Sequence, residues 1–292
     1  MTFSSVQNTI RILAVALAAS AAFATVSHPQ GTNPNLVTGK EDQQNQDQQL
    51  KEKTLDQGNT PPQPPAPKVD PKEEAAYKAF FDASPQDADT KIKLGEDFMK
   101  TYPSSRYAES VYAGLSQAYY AKQDWKNLYL TSDKALASNP DDVDILTMVG
   151  WVIPHVINPN TPDADKQLDK AETYEKRAIK DIPTLTKPPG MTDEQFATAK
   201  IEKASEAHSG LGLVYFRRQD FEDAAKELQQ ATQDNPNPDA TDFFALGASL
   251  QNSGHFTEAV DAYTRCSQIM GSLQDRCKEN ADKAKQLAAQ KK

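Results

Sequence analysis

The residues that could perform acid–base, nucleophilic or metal chemistry are spread along the chain without a known catalytic spacing. The four histidines are far apart: His28, His155, His208 and His255. The sequence contains no G-x-S-x-G nucleophile motif, no H-E-x-x-H zinc motif, and no phosphate-binding Walker loop or dinucleotide-binding glycine pattern. Acidic pairs such as Asp141–Asp142 fall at expected helix starts, where carboxylates cap free amides and complement the helix dipole. We therefore expect a protein that is not an enzyme and has no catalytic residue, cofactor or bound metal.

The two cysteines, Cys266 and Cys277, lie at equal distances from the Gly271–Ser272 turn. In an antiparallel helical hairpin, residues equidistant from the turn can face each other. In an exported protein this arrangement favours a disulfide, and two buried free thiols are the alternative. A zinc site is not expected, because His255 is the only histidine nearby and four ligands cannot be assembled.

The elements that must position these residues follow a repeated pattern near the C terminus. The first copy reads His208, Leu211, Gly212, Tyr215, Phe221, Ala224, Leu228, Ala231 and Pro236. The second copy reads Phe243, Leu246, Gly247, Leu250, Phe256, Ala259, Tyr263 and Cys266. Corresponding residues such as Leu211 and Leu246 lie 35 apart. A single helical hairpin of this size cannot bury its own apolar face, so stacked hairpins must share a core.

The same pattern recurs upstream with changes. One copy reads Tyr112, Leu115, Tyr119, Trp125, Ala135 and Pro140, with Ser116 in the glycine slot and Leu128 in the alanine slot. Another reads Leu146, Val149, Gly150, Ile153, Leu168, Ala171, Ala178 and Pro183. This second copy has nine extra residues within 154–165, where Pro154, Pro159 and Pro162 are expected to end the first helix and lengthen the turn. A fifth, weaker unit spans about 71–103.

The pattern resembles the tetratricopeptide repeat, whose spacing is bulky-x2-L-G-x2-Y, then A-x3-F, then P. The resemblance implies an all-α fold, a tetratricopeptide superhelix of about four to five hairpins with a C-terminal capping helix. The domain would cover 71–292, with its clearest repeats at 109–142, 143–183, 205–238 and 240–271 and the cap at 273–289. We expect helices at 72–83, 87–102, 105–121, 124–138, 142–156, 163–180, 192–217, 220–234, 239–253, 256–270 and 273–289.

Small residues are expected where the two helices of a hairpin cross. Gly212 and Gly247 occupy the crossing positions, and Ala224 and Ala259 lie on the facing helices. Side chains of this size permit close approach of the helices, while larger neighbours fill the surrounding holes. We therefore interpret the pattern residues as a packed core and not as a cofactor site.

In the tetratricopeptide family the first helix of each hairpin lines a concave groove that binds protein segments. The matching positions and their close neighbours in this chain are Gln117, Tyr120, Trp151, Leu213, Phe216, Arg217, Phe244, Ala248 and Gln251. Aromatic and amide side chains of this kind suit an extended peptide or an amphipathic helix. The alternative is that a neighbouring element covers Trp151 and Phe216. The Lys and Asn residues of the carboxylate-clamp subclass are absent from these positions, so that activity is not implied.

The N-terminal segment has the composition of an export signal followed by a linker. Arg11 precedes an apolar run over 12–22, and Ala22-Phe23-Ala24 matches the small-x-small cleavage rule, so we expect cleavage after Ala24. An uncleaved membrane anchor is the alternative. Residues 25–70 contain Gln-rich and Pro-rich runs without an aromatic residue, which predicts a disordered linker. We expect a periplasmic or secreted protein.

A second, weaker resemblance concerns 102–109, which looks like the signature of tetratricopeptide proteins of the bacterial envelope. The net charge of −9 disfavours nucleic acid and anionic lipid as partners. The leading interpretation is an exported, non-enzymatic adaptor that binds a protein or peptide segment, with no integral membrane domain. The alternatives are an accessory subunit or uncharacterised enzyme of cell-wall or outer-membrane assembly, and a self-assembling structural array. Neither the partner nor the oligomeric state follows from the sequence.

Overall fold

A computed structural model describes residues 70–290 of the protein, apart from 234 and 236. Within that part of the chain the secondary structure is entirely helical. The helices are α1 (Pro71–Asp82), α2 (Ala88–Thr101), α3 (Ala108–Ala121), α4 (Trp125–Ser138), α5 (Val143–Val156), α6 (Ala164–Asp181), α7 (Asp193–Arg218), α8 (Phe221–Gln233), α9 (Ala240–Asn252), α10 (Phe256–Gln268) and α11 (Gln274–Gln290), with a 3-10 turn at Ile182–Thr184. The predicted export signal, its cleavage site and nearly all of the predicted linker lie outside the described residues, as does Pro236.

The eleven predicted helices are all present, with every boundary within three residues of its prediction. Side chains that precede the helices explain several of the starts. Asp124 accepts a hydrogen bond from the Asn127 amide at 3.2 Å, and Asp142 accepts from the Ile145 amide at 3.2 Å. These bonds satisfy amides that have no partner inside the helix. The long α7 begins with a reciprocal capping box between Thr192 and Gln195.

The helices pack as successive hairpins. The pairs α3–α4, α5–α6, α7–α8 and α9–α10 each pack along their length, and the second helix of a hairpin also contacts the first helix of the next. First helices of neighbouring hairpins meet as well, as α5 and α7 or α7 and α9 do. The apolar face of each hairpin is therefore covered by its neighbours, which is the behaviour of a helical-repeat solenoid.

The glycines mark the closest helix crossings. A Cβ atom on Gly212 would lie 2.6 Å from Leu228 Cγ, and one on Gly247 would lie 2.8 Å from the Tyr263 ring. The residue facing each glycine is therefore the large side chain sixteen positions later, and the predicted Ala224 and Ala259 are buried elsewhere in the same interfaces. The two helices of a hairpin approach closely because a large side chain of one helix packs directly on the backbone at the glycine of the other.

The predicted end of α5 at residue 156 is confirmed, and the prolines within 154–165 lie at that end or in the turn after it. Pro154 lies inside the helix, which continues to Val156 and ends at Ile157 with an extended backbone. A proline removes one amide hydrogen bond of the helix and crowds the carbonyl group four residues earlier. In the last turn the cost is small, because few helical hydrogen bonds follow the proline. The additional residues of this hairpin form the connection to α6, which begins at Ala164.

The segment that resembles the envelope signature ties α1 to α3. Ser105 Oγ donates to Glu73 Oε1 at 2.5 Å, and Tyr107 Oη donates to Glu74 Oε1 at 2.5 Å. These bonds cross from the turn before α3 to the first turn of α1. The segment therefore has a structural role, because it attaches the first, weakest repeat unit to the rest of the array.

A disulfide between Cys266 and Cys277 fastens the C-terminal helix, as predicted. The Cα atoms are 5.8 Å apart, and the bond joins α10 to α11. Cys277, Ala281 and Ala284 form the buried stripe of α11. This helix covers the last hairpin on one face and is solvated on the other, as a terminal cap of a repeat array must be. Among the described helices, none is both long enough and apolar enough to cross a bilayer.

Candidate protein-binding face

The predicted groove residues lie on the first helices of four successive hairpins, α3, α5, α7 and α9. Gln117 and Arg217 are exposed, whereas Tyr120, Trp151, Phe216, Phe244 and Gln251 are half-buried and Leu213 is buried. We refer to the surface carried by Tyr120, Trp151 and Phe216 as the inner face. Its three aromatic residues come from three consecutive hairpins.

The centre of the inner face is an aromatic platform on α5. The Trp151 and His155 ring centroids are 3.7 Å apart, and His155 Nδ1 lies 2.7 Å from the Trp151 carbonyl oxygen. Burial lowers the pKa of His155, so the imidazole is neutral at pH 7. Arg217 Nε donates to the Pro154 carbonyl oxygen at 2.9 Å and so connects α7 to the end of α5. Trp151 and the partner of Arg217, Pro154, are therefore three residues apart on the same helix.

Tyr120 continues the aromatic surface on α3. Its ring centroid is 6.3 Å from that of Trp125, in an edge-to-face arrangement. Burial raises the pKa of Tyr120 to about 12, with a further contribution from the negative charge of Glu206. The hydroxyl therefore stays protonated at neutral pH and can donate a hydrogen bond. The influence of Glu206 also shows that α7 reaches the neighbourhood of α3.

Two predicted groove residues are occupied by packing. Leu213 is only 5% exposed and belongs to the core shared by α7, α8 and α9, so it offers no surface to a partner. Phe244 packs edge-to-face on Tyr263 at 5.8 Å, and the Arg276 guanidinium lies 4.6 Å from its ring centroid. Arg276 belongs to the C-terminal cap α11. The cap therefore occupies the place where the first helix of another hairpin would pack if the array continued.

The two remaining half-buried residues are Phe216 and Gln251. Phe216 contacts Phe221 edge-to-face with centroids 6.1 Å apart. Gln251 Oε1 is buried, and no hydrogen-bond partner for it exists among the described residues. The amide of Gln251 therefore contributes to the interior of α9 more than to an open surface.

Sequence reasoning missed two buried carboxyl groups beside the inner face. Asp242 on α9 is buried and accepts a hydrogen bond from Ser209 Oγ on α7 at 2.6 Å, and burial raises its pKa to about 7. Glu175 on α6 is completely buried. The repeat alignment contained a signal for Glu175, because it occupies the slot filled by Leu228 and Tyr263 in the next two hairpins.

A cleft adjoins the inner face between the start of α5, the loop after α6 and the first half of α7. Its two lysines both have partners. Asp144 pairs with Lys203, and Lys200 Nζ donates to the Pro183 carbonyl oxygen at 2.8 Å. Among the residues from 70 to 290 that are described, no group of acidic, histidine or cysteine side chains is arranged to hold a metal ion.

Comparisons with known proteins agree with the repeat pattern. Residues 205–238 match the family described as Tetratricopeptide repeat. No curated protein matches the chain. A thermophilic TPR protein of Thermus thermophilus, TTC0263, is 15% identical with a TM-score of 0.43, over 73% of this chain and 95% of its own. PilW, described as a widely conserved type IV pilus biogenesis factor, is 15% identical with a TM-score of 0.48. The match covers 76% of this chain and 93% of PilW.

These two structural similarities are too distant to support an argument about function. The family match covers the hairpin that contains Gly212, and the same glycine-centred packing recurs at Gly247. The matched repeat at 205–238 and the recurring hairpin geometry are both similar to the tetratricopeptide repeat.

Proposed function

We propose that this protein-interaction scaffold is exported to the bacterial cell envelope and binds an extended protein segment along its inner face. The observation that carries the proposal is that Tyr120, Trp151 and Phe216, three half-buried aromatic side chains, lie on successive first helices. Large aromatic rings supply apolar contact area at a low cost in side-chain entropy, and they dominate many protein interfaces.

The neighbouring contacts favour a preorganised surface. The Trp151 ring is held against His155, and the Arg217 bond to Pro154 fixes the spacing of α5 and α7. A partner that binds such a surface orders fewer side chains, so less of its binding energy is lost to entropy. The protonated Tyr120 hydroxyl adds a donor for a main-chain carbonyl of the bound segment.

Export rests on the sequence of the first 24 residues. Their short apolar run and Ala-Phe-Ala ending support cleavage by a signal peptidase. The disulfide agrees with an oxidising compartment, since such bonds persist mainly outside the cytosol. Because tetratricopeptide repeats typically act as non-enzymatic scaffolds, the proposal assigns no catalytic step to this chain.

The test compares alanine variants of the inner face with a matched exposed aromatic residue elsewhere. Once a partner has been identified, Trp151→Ala and Phe216→Ala should each weaken binding by about 2 kcal/mol, roughly thirtyfold in Kd. Phe81→Ala is the control, because Phe81 is 43% exposed on α1, away from the inner face. Thermal melting verifies that each variant is folded. Folded inner-face variants with full affinity would contradict the proposal and direct attention to the N-terminal segment or to residues 154–165.

A further inference from the structure

Glu175 occupies an apolar packing position in the second complete hairpin, α5–α6. In the third and fourth hairpins the residue facing the central glycine is Leu228 or Tyr263. In the second hairpin the facing residue is Glu175, which lies over Gly150. Glu175 is 0% exposed, and neither of its carboxyl oxygens has a hydrogen-bond partner within the described part of the chain.

Two glycines from different hairpins make room for this carboxyl group. A Cβ atom on Gly150 of α5 would lie 2.5 Å from Glu175 Oε1, and one on Gly210 of α7 would lie closer still. The Trp151 Cα atom of α5 is 3.1 Å from that same position on Gly210. The carboxyl group is therefore wedged where α5, α6 and α7 meet, and we call this three-helix contact the Glu175 joint.

The charged surroundings of the Glu175 joint do not compensate a negative charge. From α7, Glu206 faces the carboxyl and adds its own negative charge. The groups around Glu206 are Lys203 of α7, Asp144 of α5 and Tyr120 of α3, and Lys203 pairs with Asp144. From α5, Gly150 lies against Glu175, and the Trp151 Cα atom approaches Gly210.

On α6 itself the nearest carboxylate faces away from the joint. Glu172 pairs with Lys176 and Arg218 at the surface. Those contacts satisfy the two cations without involving Glu175. Burial, assisted by Glu206, therefore raises the pKa of Glu175 well above its usual range.

We propose that the Glu175 joint is a proton-dependent contact, closed when the carboxyl is neutral and loosened when it ionises. An ionised carboxylate without a hydrogen bond is far more costly in an apolar contact than a protonated one. The least disruptive response to ionisation is separation of α6 from α7, which admits water to the carboxylate. Because α5 and α7 carry Trp151 and Phe216, opening of this joint changes the spacing of the inner face.

The direction of the pH dependence follows from the protonation states. In the unfolded chain Glu175 ionises near pH 4.5, while in the folded chain it keeps its proton to a higher pH. Between these two values the folded state binds one more proton, so the folding equilibrium constant falls up to tenfold per pH unit as pH rises. The joint is consequently tightest in mild acid and weakest in alkali.

The test measures the pH slope of stability in the full chain. The folding equilibrium constant is measured by urea unfolding at pH 5, 6, 7 and 8. In the unsubstituted protein it should fall by up to tenfold per pH unit as the pH rises. In Glu175→Gln, which mimics the neutral carboxyl, this fall should be absent. Glu172→Gln is the control on the same helix. Contacts with Lys176 and Arg218 lower the pKa of Glu172, so it is ionised throughout this window and its substitution leaves the slope unchanged. A Glu175→Gln slope equal to that of the unsubstituted protein overturns the proposal.

Hydrogen exchange locates the opening. After correction for intrinsic rates, amides of α6 and of α7 near Gly210 should exchange faster at pH 8 than at pH 5, and this difference should vanish in Glu175→Gln. Glu175→Leu, which copies Leu228, should be more stable than the unsubstituted protein at pH 8. An equal increase in exchange across all hairpins at pH 8 would contradict a local joint. If the leucine variant does not fold, the Glu175→Gln result alone decides between the two outcomes. The experiment needs no partner, so its result is independent of the proposed binding function.

Discussion

Replacing Gly212 with alanine measures how closely α7 approaches α8. The new Cβ atom would lie 2.6 Å from Leu228 Cγ, 3.0 Å from its Cδ2 and 3.1 Å from its backbone nitrogen. The side chain could rotate, but the nitrogen moves only with α8, so the helices must separate. Alanine gains about 1 kcal/mol over glycine in helix propensity, whereas overpacking costs about 1–3 kcal/mol. We expect the clash to prevail and to destabilise the fold by up to about 2 kcal/mol.

The partner residue supplies a double-mutant test of the same contact. Leu228→Ala removes a side chain that is fully buried, at a cost of about 2–5 kcal/mol. In the double variant the alanine at 212 no longer meets Leu228, so the combined loss should be smaller than the sum by about 1–2 kcal/mol. The first complete hairpin has small residues at both corresponding positions. Ser116 stands in the glycine slot and Ser132 sixteen residues later, and both are buried.

The assay is urea unfolding followed by helical circular dichroism, with equal slopes required across the four proteins. Three results support close packing: a less stable Gly212→Ala, a much less stable Leu228→Ala, and positive coupling between them. A Gly212→Ala variant more stable by about 1 kcal/mol would refute the reasoning, because only helix propensity would then be acting.

The remaining predictions concern the cap, the α7–α9 contact and the N terminus. Reducing the Cys266–Cys277 disulfide should lower stability by at most about 3 kcal/mol and increase hydrogen exchange in α11, and thiol alkylation of the native exported protein should find no free cysteine. Asp242, whose pKa burial raises to about 7, keeps its proton in the folded state while the unfolded chain loses it near pH 3.8. The free energy of unfolding should therefore fall between pH 4 and pH 7. Urea unfolding should show that Asp242→Asn lacks this fall and is more stable at pH 8 by up to about 4 kcal/mol. N-terminal sequencing of the exported protein should begin at Thr25, and a retained Met1 in the membrane fraction would favour an anchor.

The helices and their pairing could be predicted from the sequence because each depends on local and periodic signals. The 35-residue period predicted the last two hairpins, and the acidic pair Asp141–Asp142 indicated the start of α5. Pro154 is tolerated inside the predicted helix because a proline in the last turn disturbs few hydrogen bonds.

The surface positions were less predictable because they depend on neighbouring elements. Leu213 follows its glycine just as Trp151 does, yet the third and fourth hairpins cover it while the second leaves Trp151 half-buried. Phe244 is covered by α11, whose docking the repeat pattern does not specify. Glu175 was overlooked because a charged residue in an apolar slot is read as surface until the packing of α5 and α7 is known.

Site-specific photo-crosslinking tests the central claim of a binding inner face most directly. A photoreactive phenylalanine analogue is placed at Tyr120 or Phe216, and in a separate control at Met270, which is 87% exposed in the turn before α11. The account predicts that the two inner-face positions crosslink to one contiguous segment of one partner in the intact cell envelope, while the control does not. Crosslinks from Met270 alone, or none from either inner-face position, would contradict it.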